Sequence, residues 1–239
     1  MRYLILLFLL AGPLVAAEDR FLAEREALVG EIEADVRATR SYLDTETLDA
    51  AVLEAMRSVP RHRFVPDDEV EHAYENRPLP IGHGQTISQP YIVAIMTDLL
   101  EPAPEHKVLE VGTGSGYQAA VLAEIVESVH SIEIIEPLGE SARRRLEKLG
   151  HDNVQVRVGD GYYGWPEGAP YDGIVVTAVA SHVPPPLLQQ LKPGGRMIIP
   201  VGSRFLTQQL VLVEKAADGT VTTQQILPVR FVPLTGGHD

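Results

Sequence analysis

The chain has 239 residues, 45% of them hydrophobic, which is enough for a full α/β core and excludes global disorder. It has no cysteine, so disulfides, thiolate catalysis and cysteine-ligated metals are ruled out. A formal net charge of −13, from 33 acidic against 20 basic residues, argues against a nucleic-acid backbone as the main partner.

The chain opens with Arg2, an apolar run from Tyr3 to Ala11, Gly12-Pro13, and the small residues Val15-Ala16-Ala17. That is the layout of a signal peptide over 1–17, too short for a stable membrane span. It predicts a periplasmic or envelope location. The alternative is an uncleaved N-terminus and a cytoplasmic protein. Residues 20–37 read as a helix with Phe21, Leu28, Ile32 and Val36 on one stripe. A second helix is expected after Asp44 as N-cap, burying Leu48, Val52 and Met56 and ending before Pro60. Residues 18–76 thus form a helical N-terminal layer. Residues 79–90 are rich in Gly and Pro and in uncharged polar side chains, which reads as a loop. A helix over 91–100 follows.

From residue 107 strands and helices alternate. Strands are expected at 107–111, 128–132, 154–158, 171–177 and 196–200, the last after the turn Pro193-Gly194-Gly195. Helices are expected at 117–125, 138–149 and 186–190. Arg143-Arg144-Arg145 falls on one of them and reads as a solvated face. Strands 208–214 and 221–229 close the chain around Asp218-Gly219. The pattern predicts a Rossmann-like α/β fold, with a mainly parallel sheet flanked by helices. Ligands bind such sheets beyond the C-terminal strand ends, at the switch point.

Three features sit at those strand ends. Gly112-Thr113-Gly114-Ser115-Gly116 follows the first strand and precedes a helix, where glycines allow a tight turn and close approach of a ligand. Tyr117 stands where a further glycine would extend the nicotinamide fingerprint, which is therefore incomplete. Glu133, after the second strand, is placed to bind ribose hydroxyls. Gly159-Asp160-Gly161, after the third, offers an acceptor for an adenine amine. Together they make a nucleoside pocket. The chain has no GxxxxGK[ST], HExxH or GxSxG, and its eight histidines are dispersed, so no metal is expected.

The segment Gly84-Gln85-Thr86-Ile87-Ser88-Gln89-Pro90, preceded by Pro80-Ile81-Gly82, resembles the signature loop of the protein-L-isoaspartate O-methyltransferases. The similarity extends to 108–120 with Glu110, to Gly159-Asp160-Gly161-Tyr162, and to Pro170-Tyr171-Asp172. It continues through Val176-Thr177-Ala178, Pro193-Gly194-Gly195 and Phe231-Val232-Pro233-Leu234, covering about 45–235 in order. The resemblance implies a class I methyltransferase domain over 77–239, with S-adenosyl-L-methionine as methyl donor. It implies as acceptor the α-carboxylate of L-isoaspartyl residues in damaged proteins, whose ester closes to a succinimide. It assigns Ser88 as the active-site residue, with Thr86 and Gln89 beside it at the substrate. Glu110, Gly112, Gly114, Glu133, Asp160, Gly161 and Thr177 fall to the cofactor. His83 departs from the family pattern and is a candidate for pH-dependent substrate binding. A monomer is expected, with no nucleic-acid partner. Other readings are a methyltransferase for another carboxylate, a non-catalytic cofactor-binding module, and a nicotinamide oxidoreductase.

Overall fold

The computed structural model describes residues 20–203 and 207–237. The expected signal segment lies outside the described residues.

Helix α1 (Leu22–Ala38) buries Leu28, Val29, Ile32 and Val36, with Phe21 packed just ahead of it. A short α2 (Arg40–Leu43) follows, and Asp44 closes it in the left-handed region, φ 56. Asp44 is therefore a C-cap, where the sequence suggested an N-cap. The helix expected there is α3 (Ala50–Ser58), and Asp49 caps it by accepting from the Ala51 N–H at 2.7 Å. Leu48 is buried before the helix begins. The reason lies in Thr45, whose hydroxyl accepts from the Thr47 N–H and holds a non-helical turn between the two aspartates.

The segment expected to be a loop is an antiparallel hairpin of β1 (Leu79–Gly82) and β2 (Gln85–Ile87). Leu79 and Ile87 pair across it and are buried. The turn runs through Gly82, His83 and Gly84 at φ 88, 53 and 71. Helix α4 (Pro90–Leu99) begins two residues after Ser88, with proline at its first position.

The main sheet contains β3 (Lys107–Val111), β4 (Ser128–Glu133), β5 (Val154–Val158), β6 (Tyr171–Val176), β7 (Leu191–Val201), β8 (Gln208–Lys215) and β9 (Val221–Val229). Their order is β5-β4-β3-β6-β7-β8-β9. The pairs from β5 to β7 are parallel, and β8 and β9 join antiparallel. The Pro193-Gly194-Gly195 turn lies inside β7 as a register irregularity: Tyr171 pairs with Leu191, but Gly173 pairs with Arg196.

Side chains alternate between two cores, as the pleat requires. Val108, Val129, Val156 and Val175 face α1, α3, α4, α5 (Tyr117–Ala123) and α6 (Glu136–Leu149). Leu109, Val111, Ile174 and Val176 face α7 (Pro185–Gln190) and Trp165. The N-terminal helices share the first core with the sheet. Arg143 and Arg145 of α6 are half-buried, and their guanidinium groups donate to Val156 O and Ser115 O, each at 2.8 Å. Only Arg144 fits the solvated face read from the sequence.

The chain runs outward from β3 through β4 to β5, then returns to β6 on the other side of β3. That reversal is the switch point. Val111 pairs with both Ile132 and Val176, so residues 112, 133 and 177 emerge side by side.

Candidate active site

A cavity opens at this point. Gly112 to Ser115, Glu133 to Ile135, Gly161, Thr177 and Ala178 line its base, and residues 232–235 its outer wall. Gly112 has φ 98, and a Cβ there would overlap Thr177 Oγ1, whose hydroxyl donates to Gly112 O at 2.7 Å. A side chain at Gly161 would likewise overlap Val111. The glycines are required by close packing as well as by backbone conformation. Glu133 accepts from the N–H groups of Gly114 at 2.8 Å and Ile135 at 2.9 Å, fixing the glycine loop to the end of β4. Each carboxylate oxygen retains a lone pair for a ribose hydroxyl.

Glu110 is 0% exposed yet lines the cavity. Its Oε2 accepts a short bond from Ser131 Oγ, which also bonds Thr113 Oγ1. Its Oε1 has no partner among the described residues. Burial pushes this carboxyl up to about 8; the Ser131 bond opposes the rise and the neighbouring Glu133 carboxylate adds to it. An orphaned buried acceptor on the cavity wall fits a ligand carrying a donor cation, and the methionine ammonium of S-adenosylmethionine is one.

The hairpin supplies Gln85, Thr86, Ile87 and Ser88 to the other wall. Neither the Thr86 nor the Ser88 hydroxyl has a hydrogen-bond partner among the described residues, so they do not serve merely to cap the turn. The Ser88 carbonyl accepts from Arg61 Nη2 at 2.8 Å. Beyond this wall lies a second, open cleft of about 590 Å³, lined by Gln89, Tyr91, Arg230 and Phe231 among others. Thr86, Ser88, Thr177 and Val232 line both spaces.

The structure thus gathers Thr86, Ser88, Glu110, Gly112, Gly114, Glu133, Gly161 and Thr177 around one cavity. Gln89 lines only the outer cleft. Asp160 is next to Gly161 of the lining and accepts from the Tyr162 N–H at 3.0 Å and the Gly237 N–H at 3.1 Å. His83 stands exposed in the hairpin turn, apart from both spaces. Sequence reasoning missed Ser131, Arg61 and the lining role of residues 232–235. Ser131 carried no signal of its own, because only the β3–β4 register brings its hydroxyl opposite Glu110. Among the described residues no cluster of potential metal ligands occurs, and no helix is long and apolar enough to cross a membrane.

A cavity at the switch point, with a glycine loop after β3, Glu110 within that strand and Glu133 at the end of β4, is the layout of a Rossmann-like nucleoside-cofactor site, and the comparisons with known proteins make the protein an S-adenosylmethionine-dependent methyltransferase. Residues 41–239 match the family described as protein-L-isoaspartate(D-aspartate) O-methyltransferase. The chain is 65% identical over 236 residues to protein-L-isoaspartate O-methyltransferase 2 of Syntrophobacter fumaroxidans, covering 98% of this chain and 96% of that one. It is 68% identical over 209 residues to the Polaromonas sp. protein of the same name, covering 87% and 99%. A solved protein-L-isoaspartate O-methyltransferase superposes with TM-score 0.78 at 31% identity, covering 89% of this chain and 66% of that longer one. A Plasmodium falciparum structure in complex with S-adenosyl-L-homocysteine superposes with TM-score 0.71 at 24% identity, over 88% of this chain and 98% of that one, and shares the fold. The chain belongs to the protein-L-isoaspartate(D-aspartate) O-methyltransferase family.

Proposed function

We propose that the inner cavity holds S-adenosylmethionine, the outer cleft holds a protein segment bearing L-isoaspartate, and the methyl group crosses where the two meet. The observation that carries this is the shared wall: Thr86 and Ser88 border both spaces with their hydroxyls unpaired. The enzyme esterifies the isoaspartyl α-carboxylate and so initiates repair.

The residues divide the work. Gly112 and Gly161, packed against Thr177 and Val111, bring the strand ends together beneath the nucleoside, Gly114 carries the loop around it, and Glu133 takes its ribose. Glu110 Oε1 accepts from the methionine ammonium. Thr177 holds the glycine loop. When bound, the cofactor supplies an electrophilic sulfonium methyl. The acceptor carboxylate, with a pKa of about 4, is already a nucleophile at neutral pH and needs no base. Ser88 and Thr86 therefore position it by hydrogen bonds without neutralising it, and Gln89 meets the adjoining peptide. The N-terminus of α4, two residues after Ser88, adds a partial positive charge that favours an anion. Asp160, which also bonds the closing segment of the chain, accepts from the adenine amine. No metal takes part, and the enzyme acts as a monomer on proteins rather than nucleic acids.

The test is transfer of labelled methyl to an isoaspartyl peptide, with the aspartyl peptide as control. Labelling of the isoaspartyl peptide alone is expected, and Ser88→Ala should lower kcat/KM about tenfold or more. Equal labelling of both peptides would overturn the substrate assignment.

We further propose that residues 1–17 direct export to the periplasm or envelope. The mature chain isolated from the native cell should begin at Glu18. An intact Met1 in the cytosolic fraction would refute this.

A further inference from the structure

Arg61 lies in a single 3-10 turn (Arg61–Arg63) and is 0% exposed. Among the described residues no carboxylate pairs with it. Its Nε donates to Ala73 O at 2.9 Å and its Nη2 to Ser88 O at 2.8 Å, with a longer contact from Nη2 to Arg77 O at 3.4 Å. Its Nη1 is buried without a partner. The guanidinium carbon stands 4.8 Å from the centre of the Tyr117 ring. Phe64 meets the same ring edge-on at 5.5 Å, and the Tyr117 hydroxyl reaches Met56 Sδ at 3.9 Å.

A buried cation without a counter-ion is costly, and a neutral amide would satisfy carbonyls at less cost. What a planar guanidinium adds is geometry: donors in a fixed fork and a face that stacks on an aromatic ring. Here Nη2 holds the Ser88 carbonyl at the end of the substrate hairpin while Nε holds Ala73 O. The face lies on Tyr117, the first residue of α5 after the glycine loop. The two loops that must be held at a fixed separation for in-line methyl transfer are therefore tied to one group. Tyr117, the residue that breaks the nicotinamide fingerprint, gains a reason: a glycine there would leave the guanidinium nothing to stack on.

We propose that Arg61 is a positioning residue for methyl transfer, locking the Ser88 backbone against Tyr117 so that the substrate loop and the cofactor loop keep their spacing. This rests on the reading that Ser88 meets the peptide. Arg61 does not line the cavity, so it touches neither reactant. Its unpaired charge, bonded to the Ser88 carbonyl, also makes the Ser88 wall attractive to an incoming carboxylate.

The test compares Arg61→Lys, Arg61→Gln and Ser88→Ala by kcat and peptide KM, alongside the Kd for S-adenosylhomocysteine. Lysine keeps the charge but loses the fork and the stacking face. Arg61→Lys is expected to lower kcat/KM for the isoaspartyl peptide about tenfold or more, with Kd for S-adenosylhomocysteine within about twofold of the parent. Arg61→Gln should in addition raise peptide KM above that of the lysine variant. If Arg61→Lys does not fold, Arg61→Gln, which removes the charge and the fork without touching the cavity lining, is judged by the same comparison of kcat/KM with Kd. Unchanged kcat/KM, or a loss in Kd equal to the loss in kcat/KM, would overturn the proposal, because either means a merely structural role. If Ser88→Ala leaves kcat/KM unchanged while Arg61→Lys is impaired, the reading of Ser88 fails, and the positioning role with it. If Ser88→Ala is impaired and Arg61→Lys is not, only the Arg61 inference falls.

Discussion

Glu110 combines complete burial, one short bond to Ser131 Oγ and one oxygen with no protein partner. Because burial raises its carboxyl to about 8, ionising it costs more in the folded chain than in the unfolded one. Its contribution to stability is thus fully present below the ordinary glutamate range, near 4.5, and is lost as pH rises through about 8. Unliganded protein should lose thermal stability across that window, and Glu110→Gln should show a flatter profile. A cationic ligand beside the carboxyl has the opposite preference, since it favours the ionised form. Affinity for S-adenosylhomocysteine should therefore tighten as pH rises toward 8, with proton release visible by titration calorimetry in two buffers. Identical pH slopes for parent and Glu110→Gln would sink this account. At this scale the sequence was informative wherever chemistry is local. Gly112, Gly114, Glu133 and Ser88 are legible because each sits at a strand end or in a distinctive run. Ser131 and Arg61 are not, because their partners Glu110 and Ser88 are reached only through the fold.

Elements were legible where one pattern was unopposed. Strand β3 is a compact apolar run, and β8 and β9 flank an Asp-Gly turn whose Asp218 carboxylate accepts from the Thr220 N–H. Three elements carried competing signals. Asp44 and Asp49 are both plausible N-caps, and only the Thr45 turn between them decides. The hairpin β1–β2 contains Pro80 and two glycines, which mask strands of four and three residues. The Pro193-Gly194-Gly195 run reads as a terminator, yet the partner strand carries β7 through it. The Asp49 cap is testable by itself. Asp49→Ala removes the bond to the Ala51 N–H and should cost about 1 kcal/mol, lowering Tm by about 2–4 °C. α3 lines neither the cavity nor the cleft, so kcat for methyl transfer at 25 °C should be unchanged. A Tm equal to that of the parent would mean that the Asp49 cap adds nothing measurable to the stability of α3.

The molecule as a whole closes the inner cavity with its last described segment. After β9 the chain is anchored by Gln208, whose side chain bonds both the N–H and the carbonyl of Phe231. It then runs beside Val179, which donates to Val232 O and accepts from the Leu234 N–H, each at 2.8 Å. The N–H of Gly237 finally reaches Asp160. Residues 232–235 therefore form the outer wall of a cavity whose floor is built more than 50 residues earlier in the chain. A ligand that binds only this closed arrangement stabilises it by mass action, about 2.7 kcal/mol at a hundred times its Kd. For a chain of this size that corresponds to a rise in Tm of about 5–10 °C with S-adenosylhomocysteine. A chain ending at Phe231 keeps all seven strands of the main sheet and both Gln208 bonds, so it should still fold. It loses the outer wall, and its Tm should respond to S-adenosylhomocysteine by less than about half as much, through a weaker Kd. Peptide KM measured at saturating cofactor should rise too, because Val232 borders both spaces. An undiminished thermal shift in the shortened chain would show that the base of the cavity alone binds the cofactor, and that the final segment serves only the substrate side.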